Sequence, residues 1–488
     1  MLYKERAIAN AVVLAFGNVA ELVLAYFFIA YLSRGVGAAG LGQYYYILNL
    51  VNTVALLYIF SPAALLSKKI AQNEPTLLED MGIYYAVGSL ISVVCILVIL
   101  ILAICSSRYW DFKIALTISS VCIISIVFGN LIDAIAKANL NVWPSVLSRV
   151  AERLFSLFLL FLFLGYGKLT IISAIFIVSL ASLVQFGILT LLSRHYLKCS
   201  FKFPWSRVVL LLRESVPFFF GGAFALIYYR TDVVMLGWLA SDENVGYYGA
   251  GNQVYQICMI VVAIINAVVF PPLMALYRKG AIEFTTAVAD LFKYVIVLIV
   301  GMGFGLYALS DKIIPLVFGN ELLPSVWVLK AFSIILFFSM FVSLFSTIFT
   351  ALNKQQIFAN ILGGTALLNV IGNYYFIPRY TYFATVYMTA ISVFLCCVLS
   401  VYFSKKYLRY HLPVMAILKS FLAGAVMWHV LRYYHGQSLF LLPFLGLTVY
   451  SLMVIVLRYF SGEDYQFFKI FVLKRVSQDS ATKREIAS

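Results

Sequence analysis

The sequence predicts an all-α polytopic membrane protein of about 14 transmembrane helices, and three observations carry that reading. Uncharged apolar runs recur along nearly the whole chain, as in Gly88 to Cys105, Ile118 to Leu131 and Thr381 to Ser404. A hydrocarbon core about 30 Å thick is crossed by about 20 helical residues, so each run marks a crossing. Apolar residues make up 63% of the chain and charged residues only 11%, too little polar material to coat a soluble globule of 488 residues. Finally, Lys and Arg alternate in abundance from one inter-helix segment to the next.

Breaks at polar and Pro/Gly clusters place the spans near 8–31, 41–66, 82–105, 113–137, 143–165, 169–193, 213–238, 246–276, 284–309, 325–352, 356–377, 381–403, 413–434 and 439–459. The first opens after Met1 to Arg6 and stops at Ser33-Arg34-Gly35, and the second runs from Gly40 to the pair Lys68-Lys69. Acidic or basic residues bound the third and fourth, and Trp143-Pro144 opens the fifth. Glycines or charges separate the rest, with Pro324, Pro378 and Pro413 at three of the breaks. No polar stretch between spans is long enough for a separate domain.

An even number of spans puts both termini on one side. Segments on that side carry 24 basic residues, whereas the opposite loops carry 7, namely Arg34, Arg108, Lys113, Lys168, Lys312, Arg379 and Arg432. Positive charge marks the cytoplasmic face, which predicts a multi-pass protein of the inner (cytoplasmic) membrane with both termini cytoplasmic. The net charge of +15 is thus largely topology and attraction to anionic membrane lipids. The basic stretch of Arg194, His195, Lys198, Lys202 and Arg207, interleaved with Phe201, Phe203 and Trp205, reads as a linker on the membrane surface. No nucleic-acid partner is expected. The first span reads as a retained signal anchor, with no cleavage site. Most of the seven Cys lie within spans as small apolar side chains, and the four His are scattered, so no metal and no cofactor is expected.

Shifting the chain by 204 positions brings Phe16-Gly17 onto Phe220-Gly221, Leu22 onto Leu226, Leu32 onto Leu236, Gly42 onto Gly246 and Tyr44 onto Tyr248. Asn49 and Asn52 fall on Gln253 and Gln256, each pair spaced i, i+3 on one helix face. The offset maps the first span onto the seventh and the second onto the eighth. It predicts an N-terminal lobe over 1–203 (helices 1–6), a C-terminal lobe over 204–403 (helices 7–12), and a remainder, 404–488, of helices 13–14 and a cytoplasmic tail. Parallel repeats of this kind are a transporter architecture, with substrate bound where the halves meet. In the tail, Asp464 to Arg475 alternates aromatic and basic residues like a helix lying in the interface.

The 6+6+2 plan, the stretch Ser33-Arg34-Gly35 to Gly40-Leu41-Gly42-Gln43-Tyr44, and Arg230-Thr231-Asp232 to Leu236-Gly237 followed by Val245-Gly246-Tyr247-Tyr248 resemble the polysaccharide transporter branch of the multidrug/oligosaccharidyl-lipid/polysaccharide exporter superfamily, which includes the O-antigen flippases. The resemblance covers most of the chain. It implies a two-lobed, V-shaped fold that moves a lipid-linked oligosaccharide, carried on undecaprenyl pyrophosphate, from the cytoplasmic to the outer leaflet. It also implies possible H⁺ or Na⁺ coupling and work beside polysaccharide polymerase machinery.

Charges within hydrocarbon are costly, so each one lines a polar cavity, pairs with another charge, or snorkels. Arg153 lies about ten residues, roughly 15 Å, from the cytoplasmic end of its span, out of snorkelling reach. With Arg149 at i−4 it forms a repulsive ridge unless an anion or acidic partner faces it. Either it attracts substrate pyrophosphate, or it bonds to Glu21, Asp232 or a broken helix backbone. Arg230 and Glu21 lie slightly beyond mid-depth on repeat-equivalent spans, so Glu21 is expected as the counter-charge of Arg230, in a permanent bridge or as the coupling carboxylate. Asp232 is the second candidate for ion coupling. Lys330 and Asp133 are expected to reach an interface along their own stems. Asn49, Asn52, Gln253, Gln256, Tyr228 and Tyr229 are placed either to bond sugar hydroxyls or to glue helices.

A membrane glycan polymerase or glycosyltransferase would need converging acid/base residues and a long loop, and the sequence has neither; no enzyme activity is expected. A cationic-drug exporter would want an acidic cavity, whereas basic residues match or outnumber acidic ones in the spans. The flippase of the peptidoglycan lipid precursor is the other rival. Gly-x4-Gly-Lys-Ser/Thr does not occur, so direct ATP use is excluded.

Overall fold

The computed structural model describes residues 2–460 apart from 61–64, 67–68, 71, 73–75, 201–203, 409, 411–412 and 440. Side chains of 1–9, 217–229 and a few neighbouring positions are also outside the description. The interfacial tail helix expected over 464–475 and the side chains of Tyr228 and Tyr229 fall outside it.

The described elements are helices: α1 (Leu2–Val54), α2 (Leu77–Cys105), α3 (Trp110–Ser119), α4 (Cys122–Ala138), α5 (Trp143–Gly165), α6 (Ile171–Ser193), α7 (Trp205–Leu239), α8 (Asp242–Lys279), α9 (Ala281–Phe318), α10 (Ser325–Ala351), α11 (Gln355–Lys405), α12 (Val414–Tyr433) and α13 (Leu442–Val456). Nine spans among them are long and apolar enough to cross a membrane. With kinked α1 and α11 taken as two passes each, and α3 with α4 as one, the described helices make the 14 traverses that the sequence predicts.

Several boundaries depart from expectation for identifiable reasons. The first two spans are not divided by a loop; α1 runs through and reverses at Gly37, whose φ of 70° and ψ of −174° break the helix at one residue. The second span gives way to a 3-10 helix at Ala55–Phe60 instead of running on to 66. Thr381, at φ 50° and ψ −133°, makes the corresponding break in α11. The fourth span is interrupted between Ser119 and Cys122, where the hydroxyls of Ser119 and Ser120 bond carbonyls one turn back at Leu116 and Thr117. Helix α7 starts earlier than the apolar pattern, at Trp205, because Arg207 is neutralised there and not solvated. Its guanidinium clamps Asp80 at the start of α2, Nε 2.8 Å and Nη2 2.9 Å from the two carboxylate oxygens, and Lys69 Nζ reaches the same carboxylate at 2.9 Å.

Helix ends carry local signals. Pro144 opens α5, and a reciprocal capping box opens α6: Ser173 N donates to Thr170 Oγ1 while Thr170 N donates to Ser173 Oγ.

Helices up to α6 pack mainly on one another, as do those from α8 onward, with α12 and α13 against α9. The halves meet along the second part of α1 and the first part of α8. That seam lies at the end of the molecule that carries the linkers 106–109 and 240–241. A Cβ on Gly42 would lie 1.7 Å from the carbonyl oxygen of Asp242, and one on Gly246 2.2 Å from that of Ala38. Under the offset of 204 these are one contact seen twice, as a two-fold axis demands. Arg108 closes the same end, donating to Asp242 and to the carbonyl of Gly237, with its guanidinium 4.7 Å from the ring centroids of both Tyr46 and Phe112. Gln43 Nε2 donates to Asp242 at 2.8 Å. At the opposite end, Leu211 and Val208 of α7 pack with Leu66, Tyr84 and Leu131 of the first half.

Candidate functional site

Two cavities, about 450 and 640 Å³, open inside the first half and between the halves. They share Tyr44, Leu48, Asn52 and Arg153 in their walls and so form one adjoining pair. All seven residues singled out for substrate binding border it: Arg149 in the first cavity, Arg230, Asn49, Gln253 and Gln256 in the second, and Arg153 and Asn52 in both. Glu21 joins Arg149 in the first.

The pairing differs from expectation. Glu21 faces the α5 ridge, not Arg230: its Oε2 accepts from Arg149 Nη1 at 3.1 Å, and its Oε1 lies 3.8 Å from Arg153 Nη2. Depth along a helix does not give the direction the side chain faces. Arg230 instead donates from Nη1 to Asn49 Oδ1 at 3.0 Å. Arg149 and Arg153 thus have the acidic partner their repulsion requires, helped by Glu152, whose Oε1 is 3.7 Å from Arg153 Nη1. Two carboxylates balance two guanidinium groups, and Arg230 is the cation in excess of this cluster.

Arg153 is the least satisfied member. Both of its ion-pair contacts are longer than hydrogen bonds, at 3.7 and 3.8 Å, and its buried Nε has no partner among the described residues. A guanidinium carries five N–H donors, so a planar fork faces the space where the two cavities join.

Asp232 stands apart from the arginines. It is 5% exposed and accepts from Tyr248 Oη at 3.0 Å, Asn373 Nδ2 at 2.7 Å and Thr389 Oγ1 at 2.7 Å, all within the second half. It borders a small cavity of about 50 Å³ with Asn252, Gln256 and Asn369. Three neutral donors hold a carboxylate there, with no basic partner among the described residues.

Lys330 Nζ pairs with Asp311 Oδ1 at 2.8 Å. Asp133 pairs with Lys137 one turn on. Asn52 and Asn49 also bond their own helix one turn back, at Leu48 O and Tyr45 O. Sequence reasoning missed Asn130, Gln185 and Asn252 in the cavity walls, and Asn369 and Asn373 beside Asp232. The signal that picked out Asn49, an amide within an apolar helix, was present in each. Arg108 entered only as a loop charge.

The sequence matches the family described as polysaccharide biosynthesis protein over residues 7–277. Among solved structures, the fold is similar to lipid II flippase MurJ in its inward closed conformation, with a TM-score of 0.76, 16% identity, and coverage of 92% of this chain and 99% of that one. It is similar to an inward-facing multidrug resistance MATE family transporter of the MOP superfamily, with a TM-score of 0.60, 13% identity and coverage of 86% and 95%. A mutant of the Vibrio cholerae MATE transporter VcmN gives 0.56, 12%, and 82% and 97%. No curated protein matches the sequence. With a family match across more than half its length, the chain belongs to the polysaccharide biosynthesis protein family.

Proposed function

We propose that this protein is a flippase that carries an undecaprenyl-pyrophosphate-linked oligosaccharide across the cytoplasmic membrane, for O-antigen or another surface polysaccharide. The observation that carries the proposal is Arg153: a guanidinium in the wall of the cavity between the two halves, held by two carboxylates only at 3.7 and 3.8 Å and with its Nε unbonded among the described residues. Pyrophosphate oxygens match that fork, with Arg230 as a second cation across the cavity. Amides at Asn52, Asn130, Gln185 and Gln253 line the remaining wall and suit sugar hydroxyls.

The halves 1–203 and 204–403 act as the moving lobes. The seam end, closed by Gly42, Gly246 and the Arg108–Asp242 pair, is the outer end on the charge pattern, so the conformation described is closed to the outside. Alternating access requires that seam to part and the contacts of Arg207 and Leu211 at the opposite end to form or break in turn. Ion coupling has two seats. Protonation of Glu21 would release Arg149 and Arg153 and make the cavity net cationic, linking proton uptake to anion capture. A proton or Na⁺ at Asp232 would act within the second lobe. The likeness to the MurJ fold supports a second cargo, the peptidoglycan lipid precursor, which shares the pyrophosphate and differs in the sugar.

Arg153→Ala should stop export with the protein still in the membrane, whereas Arg153→Lys keeps the charge and retains partial export. The assay measures surface glycan and accumulated lipid-linked precursor together with protein level. Undiminished export in Arg153→Ala would sink the proposal. Rescue of a peptidoglycan-flippase deletion, without any effect on surface glycan, would favour the second cargo.

A further inference from the structure

A further cavity, about 470 Å³, lies away from the transport path near the seam end, between α9, α10 and α12. Its walls hold Tyr307, Asp311, Lys330, Trp428, Arg432 and His435. Lys330 and Asp311 cancel, with Nζ 2.8 and 3.0 Å from the two carboxylate oxygens. Arg432 lies over the Trp428 ring at 5.6 Å and makes no ion pair among the described residues. The cavity is therefore net cationic, with a planar donor fork on one wall and an ammonium and an imidazole on the others. Lys312 donates to the carbonyl of Gln437, which ties down the turn carrying His435.

Depth sets the kind of anion. Lys330 follows Ser325, the first residue of α10, by five positions, and Arg432 precedes the last residue of α12 by one, so both cations lie within about two turns, some 8 Å, of the helix ends. That is the headgroup level of a bilayer, where aromatic residues gather, and Trp428 and Tyr307 are set there beside exposed Tyr433. Exposed Leu441, Phe444 and Leu447 at the start of α13 continue a surface suited to acyl chains.

We infer that this cavity is a phosphate site distinct from the transport cavity, and that in the membrane it holds the headgroup phosphate of an anionic lipid in the leaflet at the seam end. Arg432 provides the bidentate contact and the net charge, while Lys330, held by Asp311, and His435 offer further N–H donors. The inference rests on the membrane placement of the chain and not on its cargo.

The test uses the full chain released from nanodiscs, with native mass spectrometry counting retained phosphatidylglycerol against uncharged diacylglycerol, and calorimetry with inorganic phosphate as the soluble arm. Wild-type protein should retain phosphatidylglycerol selectively. Arg432→Gln should weaken retention about tenfold or more, since it removes a charge-assisted contact, and Arg432→Lys by a smaller factor. Lys330→Gln combined with Asp311→Asn tests the second cation without stranding a carboxylate, and should also weaken retention. Phosphate binding with the same variant sensitivity would identify a soluble anion as the occupant, and lipid retention without it a headgroup; each supports the site. Equal retention of phosphatidylglycerol by wild type, Arg432→Lys and the double variant, with no variant-sensitive phosphate binding, would overturn it.

Discussion

Gly42→Ala puts the two-lobed reading to its sharpest test, because the geometry sets the size of the effect. The new Cβ would stand 1.7 Å from the carbonyl oxygen of Asp242, and real Cβ atoms essentially never come within 3.0 Å of another heavy atom, so the helices must part by 1.3 Å. No rotamer change can relieve this, since the obstructing atom is backbone. At Gly246 the equivalent Cβ meets Ala38 O at 2.2 Å and demands only 0.8 Å. Overpacking of this kind costs about 1–3 kcal/mol. If the cost falls on the closed seam and not on the open one, each 1.4 kcal/mol shifts the population about tenfold. Gly42→Ala should therefore raise the seam-open population about tenfold to a hundredfold, and Gly246→Ala by less. A reporter cysteine at Val233, which lines the inter-half cavity, would be labelled from outside with an impermeant maleimide, with exposed Cys105 replaced by Ser. Labelling at the wild-type rate in Gly42→Ala, with normal export, would refute the claim that this seam closes the cavity.

Three further expectations can be checked directly. A reporter active only in the cytoplasm should work after Ser488 and within 199–205 but be silent at Asp242; activity at Asp242 would invert the orientation assigned to the seam. Glu21→Gln should abolish gradient-dependent flipping at unchanged membrane level, and combining it with Arg153→Ala should not restore export. Recovery of stability and export in that double variant would reduce Arg153 to a partner of Glu21. Asp232→Asn replaces an acceptor of three hydrogen bonds with a group that competes with its own donors, at about 1–3 kcal/mol. It should uncouple export from the imposed H⁺ or Na⁺ gradient, and gradient dependence equal to wild type would clear Asp232 of that role.

Helical rise converts residue number into depth, and on that basis Arg153, Glu21 and Arg230 are expected near the midplane; in the fold Glu21 meets Arg153, and Arg153 shares a cavity wall with Arg230. Direction was not readable. Glu21 and Arg230 share a level, yet Glu21 turns to Arg149 and Arg230 to Asn49, because which side chains face each other depends on helix packing that no single segment records. Similarly, Asp232 gave no sign of its partners: Asn373 and Thr389 lie 141 and 157 residues away. Kinks were hidden for a different reason, since the glycine at 37 and the threonine at 381 interrupt geometry within stretches whose composition looks like an ordinary inter-helix loop.

The repeat is where sequence and geometry constrain each other most. A self-match at 204 positions states only that two segments share an ancestry of pattern, and it would be met equally by two halves that never touch. Residues related by a two-fold axis can contact their own counterparts only close to that axis. Gly42 and Gly246 are such counterparts: a Cβ on Gly42 would stand 2.9 Å from Gly246 N and one on Gly246 3.4 Å from Gly42 N, and the residues they press on, Asp242 and Ala38, are counterparts as well. Their contact therefore locates the axis, at one end of the molecule, and leaves the space below it to open between the halves. Arg153 and Arg230 come from opposite sides of that axis into the same cavity. A dianionic pyrophosphate lying between them would bind both lobes at once. Rocking of one lobe against the other would then expose it to one face and then the other without either arginine leaving its own lobe.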